Sequence, residues 1–318
     1  MSTAKSAGSR SMPASGKKIA ITVGDPAGVG PDVIAAWAKS APERLLARAE
    51  VLAHADFLET LPEELGKRPV GAAGFRAKAG EPSSAGCEVA ALALEGAAAG
   101  CADGRYSAVV TAPISKFEMR KIGFDFPGQT EFFAARWGGE PVMCFAGVEL
   151  LVSLATWHEP LSKVPSLLDF GRISRAVESA AELARRLRGA GSPRIAVCGL
   201  NPHAGEDGLM GREEIDVIDP ILDGLREKYP NLSRTLPPDT VFARMRRGEF
   251  DAVAAMYHDQ ALAPLKTLEF DRAVNISMNL PHVRTSPDHG TGYSIAGTGA
   301  ADCSSFSNAV DLALKLCR

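Results

Sequence analysis

Three histidines share one sequence context. His158 closes the apolar run LLVSLATWH, His203 follows RIAVCGL in the segment NPHAGE, and His258 closes DAVAAMYH. Each run reads as a buried strand, and each gap between the histidines has room for at least one crossover helix, so the three could line one crevice. Three imidazoles that leave a position open suit a catalytic Zn²⁺ or another divalent ion of similar preference. Separate loop or core histidines bonded to carbonyls would read the same way, and this scattered spacing is a weaker signal than a compact H-E-x-x-H. Lys266, Asn275 and Arg284 follow at equal intervals. Cations near a strand-end cleft fit a phosphate or carboxylate, the arginine by a two-pronged fork. Two solvated surface charges are the plain alternative.

Other chemistry has less support. GDPAGVGP (Gly24 to Pro31) has the glycines of a tight turn, but Pro31 and Asp32 stand where a G-x-G-x-x-G fingerprint would continue. HGTGYSIAGTGAAD (His289 to Asp302) is a glycine-rich loop whose backbone could approach a ligand closely, or an ordinary surface loop. No G-x-S-x-G occurs, so a hydrolase nucleophile elbow is unsupported.

The elements that must position these residues alternate between strand and helix. KKIAITVGD, AEVLAHA, YSAVVTAP, PVMCFAG, LLVSLATWH, PRIAVCGL, FDAVAAMYHDQ and RAVNISMNL read as strands. PDVIAAWAKS, GCEVAALALEGAAAGC, TEFFAARWG, SRAVESAAELARRLRGAG, GREEIDVIDPILDGLREKY (interrupted at Pro220), PPDTVFARMRRGEF and SSFSNAVDLALKLC read as helices. The alternation argues for an α/β fold with a largely parallel or mixed sheet. Ligands of such sheets sit beyond the carboxyl ends of strands, where His, Asp, Asn and Thr recur here.

The chain has 318 residues, 46% hydrophobic and 23% charged, which is enough for two lobes and a full core. A net charge of −3 gives no electrostatic case for a nucleic-acid partner. The six cysteines include no C-x-x-C pair and read as free thiols in a reducing cytoplasm. The N-terminal MSTAKSAGSRSMPASGKK lacks an apolar core segment and reads as a disordered extension; an organelle transit peptide shares some of its composition. No apolar run approaches the roughly 20 residues of a membrane span.

GDPAGVGP, TAPISK, GLNPHAGE, MYHDQ, VRTSPDHGT and IAGTG, in this order, resemble the 4-hydroxythreonine-4-phosphate dehydrogenases of pyridoxal 5′-phosphate biosynthesis, from about Ile19 to the C-terminus. The resemblance implies an isocitrate/isopropylmalate-dehydrogenase-like α/β fold, two lobes with a cleft between them, working as a homodimer with its active site at the interface. The first lobe would comprise residues 18–126 and 286–318, the second 127–285, with 1–17 as the extension. It implies a divalent metal (Zn, Mg or Co) on His158, His203 and His258. Thr130, Lys266, Asn275 and Arg284 would contact a small phosphorylated substrate, with Gln129 beside them. The loop carrying His289, Gly290, Thr291 and Gly297 would receive the adenosine of NAD or NADP. Asp259 and Asp239 are the candidates for the general base.

The implied reaction oxidises the C3 hydroxyl of the substrate by hydride transfer to the nicotinamide. Carbon dioxide is then lost, leaving 3-amino-2-oxopropyl phosphate. One residue departs from the family pattern: the segment GQTE has Gln129 where a histidine is expected. Glutamine cannot become cationic, so it should hold a phosphate dianion less tightly than an imidazolium would. A dehydrogenase for a phosphorylated threonate or erythronate is therefore the nearest alternative. More distant ones are a phosphate acyltransferase of the same fold and a catalytically silent binding protein.

Overall fold

The computed structural model describes residues 17–317; the N-terminal extension read from the sequence lies almost wholly outside them. Eleven strands form one sheet: β1 (Lys18–Thr22), β2 (Ala49–Ala53), β3 (Gly66–Pro69), β4 (Tyr106–Thr111), β5 (Val142–Ala146), β6 (Leu151–Leu154), β7 (Ile195–Cys198), β8 (Leu232–Leu236), β9 (Ala252–Ala255), β10 (Val274–Met278) and β11 (Val283–Pro287). Their order across the sheet is β3-β2-β1-β4-β11-β10-β5-β6-β9-β7-β8. The α/β expectation is met, with short apolar strands buried on both faces.

The direction of the strands decides where the site lies. β3, β2, β1, β4 and β11 run parallel to one another, as do β6, β9, β7 and β8. Between these blocks β10 is antiparallel to both β11 and β5, and β5 is antiparallel to β6. The two blocks therefore point in opposite directions, and their carboxyl ends lie on opposite edges of the sheet. The central strands bridge those edges. Asn275 pairs with Ser286, and Ser277 pairs with both Arg284 and Met143. With a side-chain period of two, these five residues share one face.

The other central face carries helices. The Ser153 hydroxyl donates to the Ala176 carbonyl of helix Phe170–Arg188, and the Thr285 hydroxyl donates to Ala309 of helix Ser304–Leu316. Asp169 caps the first of these helices by accepting from the Arg172 N–H at 2.8 Å, and Gly189 ends it in a left-handed conformation. One hydrophobic core runs through this layer, from Ile19 to Leu316.

Several local readings change. His158 lies beyond the end of β6, and His258 opens the helix His258–Glu269 instead of closing a strand. That helix continues past Pro264, which as a helix breaker hid it in the sequence. The interruption expected at Pro220 is a π-helical turn, Glu214–Ile218, followed directly by helix Asp219–Leu225. The sequence reading also found no span-length apolar run, yet helix Ser84–Ala102 is long and apolar enough to cross a membrane. It packs against the sheet instead: Gly96 and Gly100 leave just enough space for Leu52 and the Tyr106 ring. The six cysteines are all unpaired, four of them buried.

Glu269 ties the second block together. It is buried, and its carboxylate accepts from the backbone N–H groups of Val148, Glu149 and Leu150 in the β5–β6 turn. Glu269→Ala would orphan these donors, and we expect it to lower unfolding stability by about 2–3 kcal/mol, read as a fall in the urea midpoint. An unchanged midpoint would mean that water replaces the carboxylate.

Candidate active site

A cavity of about 380 Å³ lies over the central strands of the sheet, between them and helices Gln129–Trp137 and His258–Glu269. Its floor includes Arg284, which is only 5% exposed. The guanidinium donates to the Thr111 hydroxyl, from Nε at 3.1 Å and Nη2 at 2.7 Å, and to Asn275 Oδ1 at 3.2 Å. Its hydrogen-bond partners are all neutral. Burial lowers its pKa to about 10, with Glu131 opposing the shift, so it stays cationic at neutral pH. A buried cation with only neutral acceptors is costly unless an anion completes its surroundings.

Around it stand the other residues expected to contact a substrate. Gln129, Thr130, Lys266 and Asn275 all line this cavity, as does His158. Thr130 is buried and exchanges a hydrogen bond with the Ser277 hydroxyl at 3.1 Å. Gln129 donates from Nε2 to the Ala112 carbonyl at 3.2 Å, and its buried Oε1 has no partner among the described residues. Its amide is therefore partly committed to the backbone. Lys266 lies two turns into helix His258–Glu269, with Nζ 3.1 Å from Asp288 Oδ2. Burial raises the Asp288 pKa, and Lys266 opposes that rise.

The sequence reading assigned no role to Thr111, Lys116, Glu131 or Asp288, all of which line the cavity. All four sit in segments already singled out: Thr111 and Lys116 in TAPISK, Glu131 in GQTE, and Asp288 in VRTSPDHGT. The signal was present, but the direction of each side chain was not.

The histidines divide two and one. Leu154 of β6 pairs with Ala255 of β9, and the parallel course continues through the Ala155–Ala255 and Thr156–Met256 backbone bonds. The chains leave the sheet side by side, which brings the His158 and His258 ring centroids to 5.7 Å. His158 has a left-handed backbone, φ 52°, uncommon for a side chain of this size. Desolvation, then the charge of Lys116, lowers its pKa. Asp259 Oδ1 lies 2.7 Å from His258 Nδ1, the contact that orients a ligating imidazole.

His203 is turned away from this pair. It starts a run of five left-handed residues, His203 to Asp207, and its Nδ1 lies 2.5 Å from Glu206 Oε2 on the surface. Buried Glu214 holds the base of this turn, accepting from Asn201 N at 2.8 Å and Asn201 Nδ2 at 3.0 Å. Among the described residues no three His, Cys, Asp or Glu side chains form a metal-holding group. The pair His158 and His258 fits part of a divalent ion's ligand set, and one chain alone does not complete it.

Asp239 is exposed in the first turn of helix Pro238–Arg246 and does not line the substrate cavity. In the glycine-rich loop, His289 and Gly290 line both the substrate cavity and a neighbouring one of about 360 Å³. Thr291 and Gly297 instead anchor the loop, the Thr291 carbonyl accepting from Val29 N–H and Gly297 N–H donating to Asp32.

Comparison with known proteins decides the family. The family model "Pyridoxal phosphate biosynthetic protein PdxA" matches residues 33–313. The chain belongs to this family. It is 42% identical to the 4-hydroxythreonine-4-phosphate dehydrogenase of Serratia proteamaculans (strain 568), over 94% of this chain and 97% of the relative. Among solved structures it is similar to that of a 4-hydroxythreonine-4-phosphate dehydrogenase from Klebsiella pneumoniae, with TM-score 0.83, 32% identity, and coverage of 95% of this chain and 100% of the other. A terephthalate 1,2-cis-dihydrodiol dehydrogenase from Burkholderia xenovorans LB400 is also similar, with TM-score 0.70, 25% identity, and coverage of 94% and 98%. This PdxA-family chain thus combines the family architecture with Gln129 in its cavity.

Arg284→Met tests the floor of the cavity. We expect an unchanged or higher melting temperature for the variant without ligand, because a buried unpaired charge is removed. Inorganic phosphate should raise the melting temperature of the parent protein and not of the variant. A large loss of stability without ligand would show that Arg284 serves the fold instead.

Proposed function

We propose that the chain oxidises 4-(phosphooxy)-L-threonine with NAD or NADP and releases carbon dioxide, giving 3-amino-2-oxopropyl phosphate for pyridoxal phosphate biosynthesis in the cytoplasm. The observation that carries this reading is the buried Arg284, without an anionic hydrogen-bond partner among the described residues, at the floor of a cavity that also holds Lys266 and Lys116. Family membership and the names of the relatives support the reaction.

In this reading Arg284 and Lys266 bind the phosphate, and Asn275 and Thr130 orient the substrate carbon skeleton. Holding the reacting carbon in one pose removes much of the entropic barrier. His158 and His258 would hold a divalent ion (Zn, Mg or Co), with Asp259 orienting His258. The chemistry such an ion supplies is Lewis-acid polarisation of the substrate hydroxyl and of the ketone formed from it. His289 and Gly290, between the two cavities, would face the dinucleotide, whose nicotinamide accepts the hydride. Of the two base candidates, Asp259, itself largely exposed, contacts His258, whereas Asp239 lines neither cavity.

The placement of His203 favours a homodimer in which His203 of a second copy completes the ligand set. Its exposed neighbours Leu209, Met210 and Ile215 give that surface an apolar character suited to association.

The deciding assay is nicotinamide reduction with 4-(phosphooxy)-L-threonine before and after chelation. Turnover should vanish with chelator and return with Zn²⁺, Mg²⁺ or Co²⁺; turnover indifferent to chelation would remove the metal role. A panel of phosphorylated threonate and erythronate would follow if the named substrate is inert. Mixing inactive variants tests the shared site: His158→Ala with His203→Ala should recover activity in mixed dimers, whereas His158→Ala with His258→Ala should not. Recovery by the second mixture would overturn the pairing seen within one chain.

A further inference from the structure

A separate cavity of about 290 Å³ opens on the opposite face of the sheet. It shares no lining residue with the substrate cavity. Ala146 lines it and Met143 lines the substrate cavity; the two lie an odd number of residues apart on β5 and so point to opposite faces. Four segments converge there: the β5–β6 turn, the last turn of helix Phe170–Arg188, the residues after helix His258–Glu269, and one side of helix Ser304–Leu316. On that last helix Asn308, Asp311, Leu312 and Lys315 have the spacing of a single helical face.

The wall is part apolar and part cationic. Leu151, Leu187 and Leu312 supply apolar surface. Arg188, Arg272 and Lys315 supply three cations, against Asp311 as the single carboxylate among the described lining residues. None of the three cations forms an ion pair among the described residues. The carboxylates close to the β5–β6 turn are already engaged, Glu149 with Arg246 and buried Glu269 with the N–H groups of the turn. Arg188 is held by a bond from Nη2 to the Glu149 carbonyl, which leaves its other N–H groups free. Arg272 and Lys315 are exposed, and their side chains make no hydrogen bond among the described residues. Helix C-termini attract cations in their own right, which suits the places of Arg188 and Lys315. Each helix end offsets only about half a charge, too little to balance three cations less one carboxylate.

We propose that this cavity is a second anion site, which takes a small phosphate monoester with an apolar body. The two guanidinium groups can present forks to phosphate oxygens, and the lysine adds a point charge. The leucines then cover the body of the ligand. The volume is at the small end of ligand pockets, so a single ring or a short chain fits and a dinucleotide does not. The site lies on another face from the proposed reaction and stands independently of it.

The test is ligand-observed proton NMR of phenyl phosphate with the full-length protein, in enough inorganic phosphate to fill the substrate cavity. Inorganic phosphate has no body for the leucines and competes mainly at Arg284. Phenyl phosphate should still bind, with a Kd of about 1 mM or tighter. Phenol, which keeps the ring and lacks the charge, should not. Arg272→Gln and Lys315→Gln should each weaken binding at least about threefold, and Asp311→Asn should strengthen it. All three positions are exposed, and the opposite sign for Asp311→Asn separates a charge effect from damage to the fold. Arg284→Met should leave this binding intact. No binding, equal binding of phenol, or indifference to all three substitutions would overturn the inference. Loss of binding in Arg284→Met would place phenyl phosphate in the substrate cavity and overturn it as well.

Discussion

A buried guanidinium that hydrogen-bonds to no carboxylate among the described residues is the constraint around which the centre of this protein is arranged. Arg284 sits on a strand, held by a threonine hydroxyl and an asparagine amide from two neighbouring strands. The register that places Asn275 opposite Ser286 and Arg284 opposite Ser277 also puts these side chains on the central face that borders the substrate cavity. A slip of one residue would send them into the helical layer, where a charge has no partner. Recognition of an anion and the alignment of the sheet are therefore one requirement.

A second arrangement follows from the parallel course of β6 and β9, which carries two imidazoles out of the sheet together. The neighbouring strand β7 exits beside them, tied to β9 by Gln260, whose Nε2 donates to the Gly199 carbonyl at 2.7 Å. The chain then turns left-handed for five residues and takes His203 elsewhere. Such backbone costs about 1–2 kcal/mol per non-glycine residue. Buried Glu214 and the close approach of Gly199 to Ala204 hold that geometry. Strain retained at this cost, in a segment that presents a histidine outward, points to a use for that orientation.

Much of this was legible in the sequence, and the gaps have identifiable causes. The polar residues at the ends of apolar runs marked the site, because side chains that do chemistry interrupt otherwise buried strands. The strand that carries Arg284 was not seen, since VRTSP is polar and ends in proline. GKRP in β3 was missed for the same reason. Helix His258–Glu269 was hidden by Pro264. The three histidines looked equivalent because positive φ at a non-glycine residue leaves no trace in composition. Asp288 lay inside a recognised motif, but only the fold shows its carboxylate beside Lys266.

The order of the sheet has a consequence for how the chain is made. The strands that join the two blocks, β10 and β11, span residues 274–287, near the end of the polypeptide, yet they occupy the middle of the sheet. While the ribosome is still synthesising that region, β4 and β5 are finished strands with open edges and no neighbour between them. Closing the gap requires pairings far apart in sequence, which form slowly and leave edges open to other chains in the meantime. Protection of the nascent chain by a chaperone would matter most in that interval, and a truncated product ending before β10 would be two unjoined half-sheets prone to aggregate.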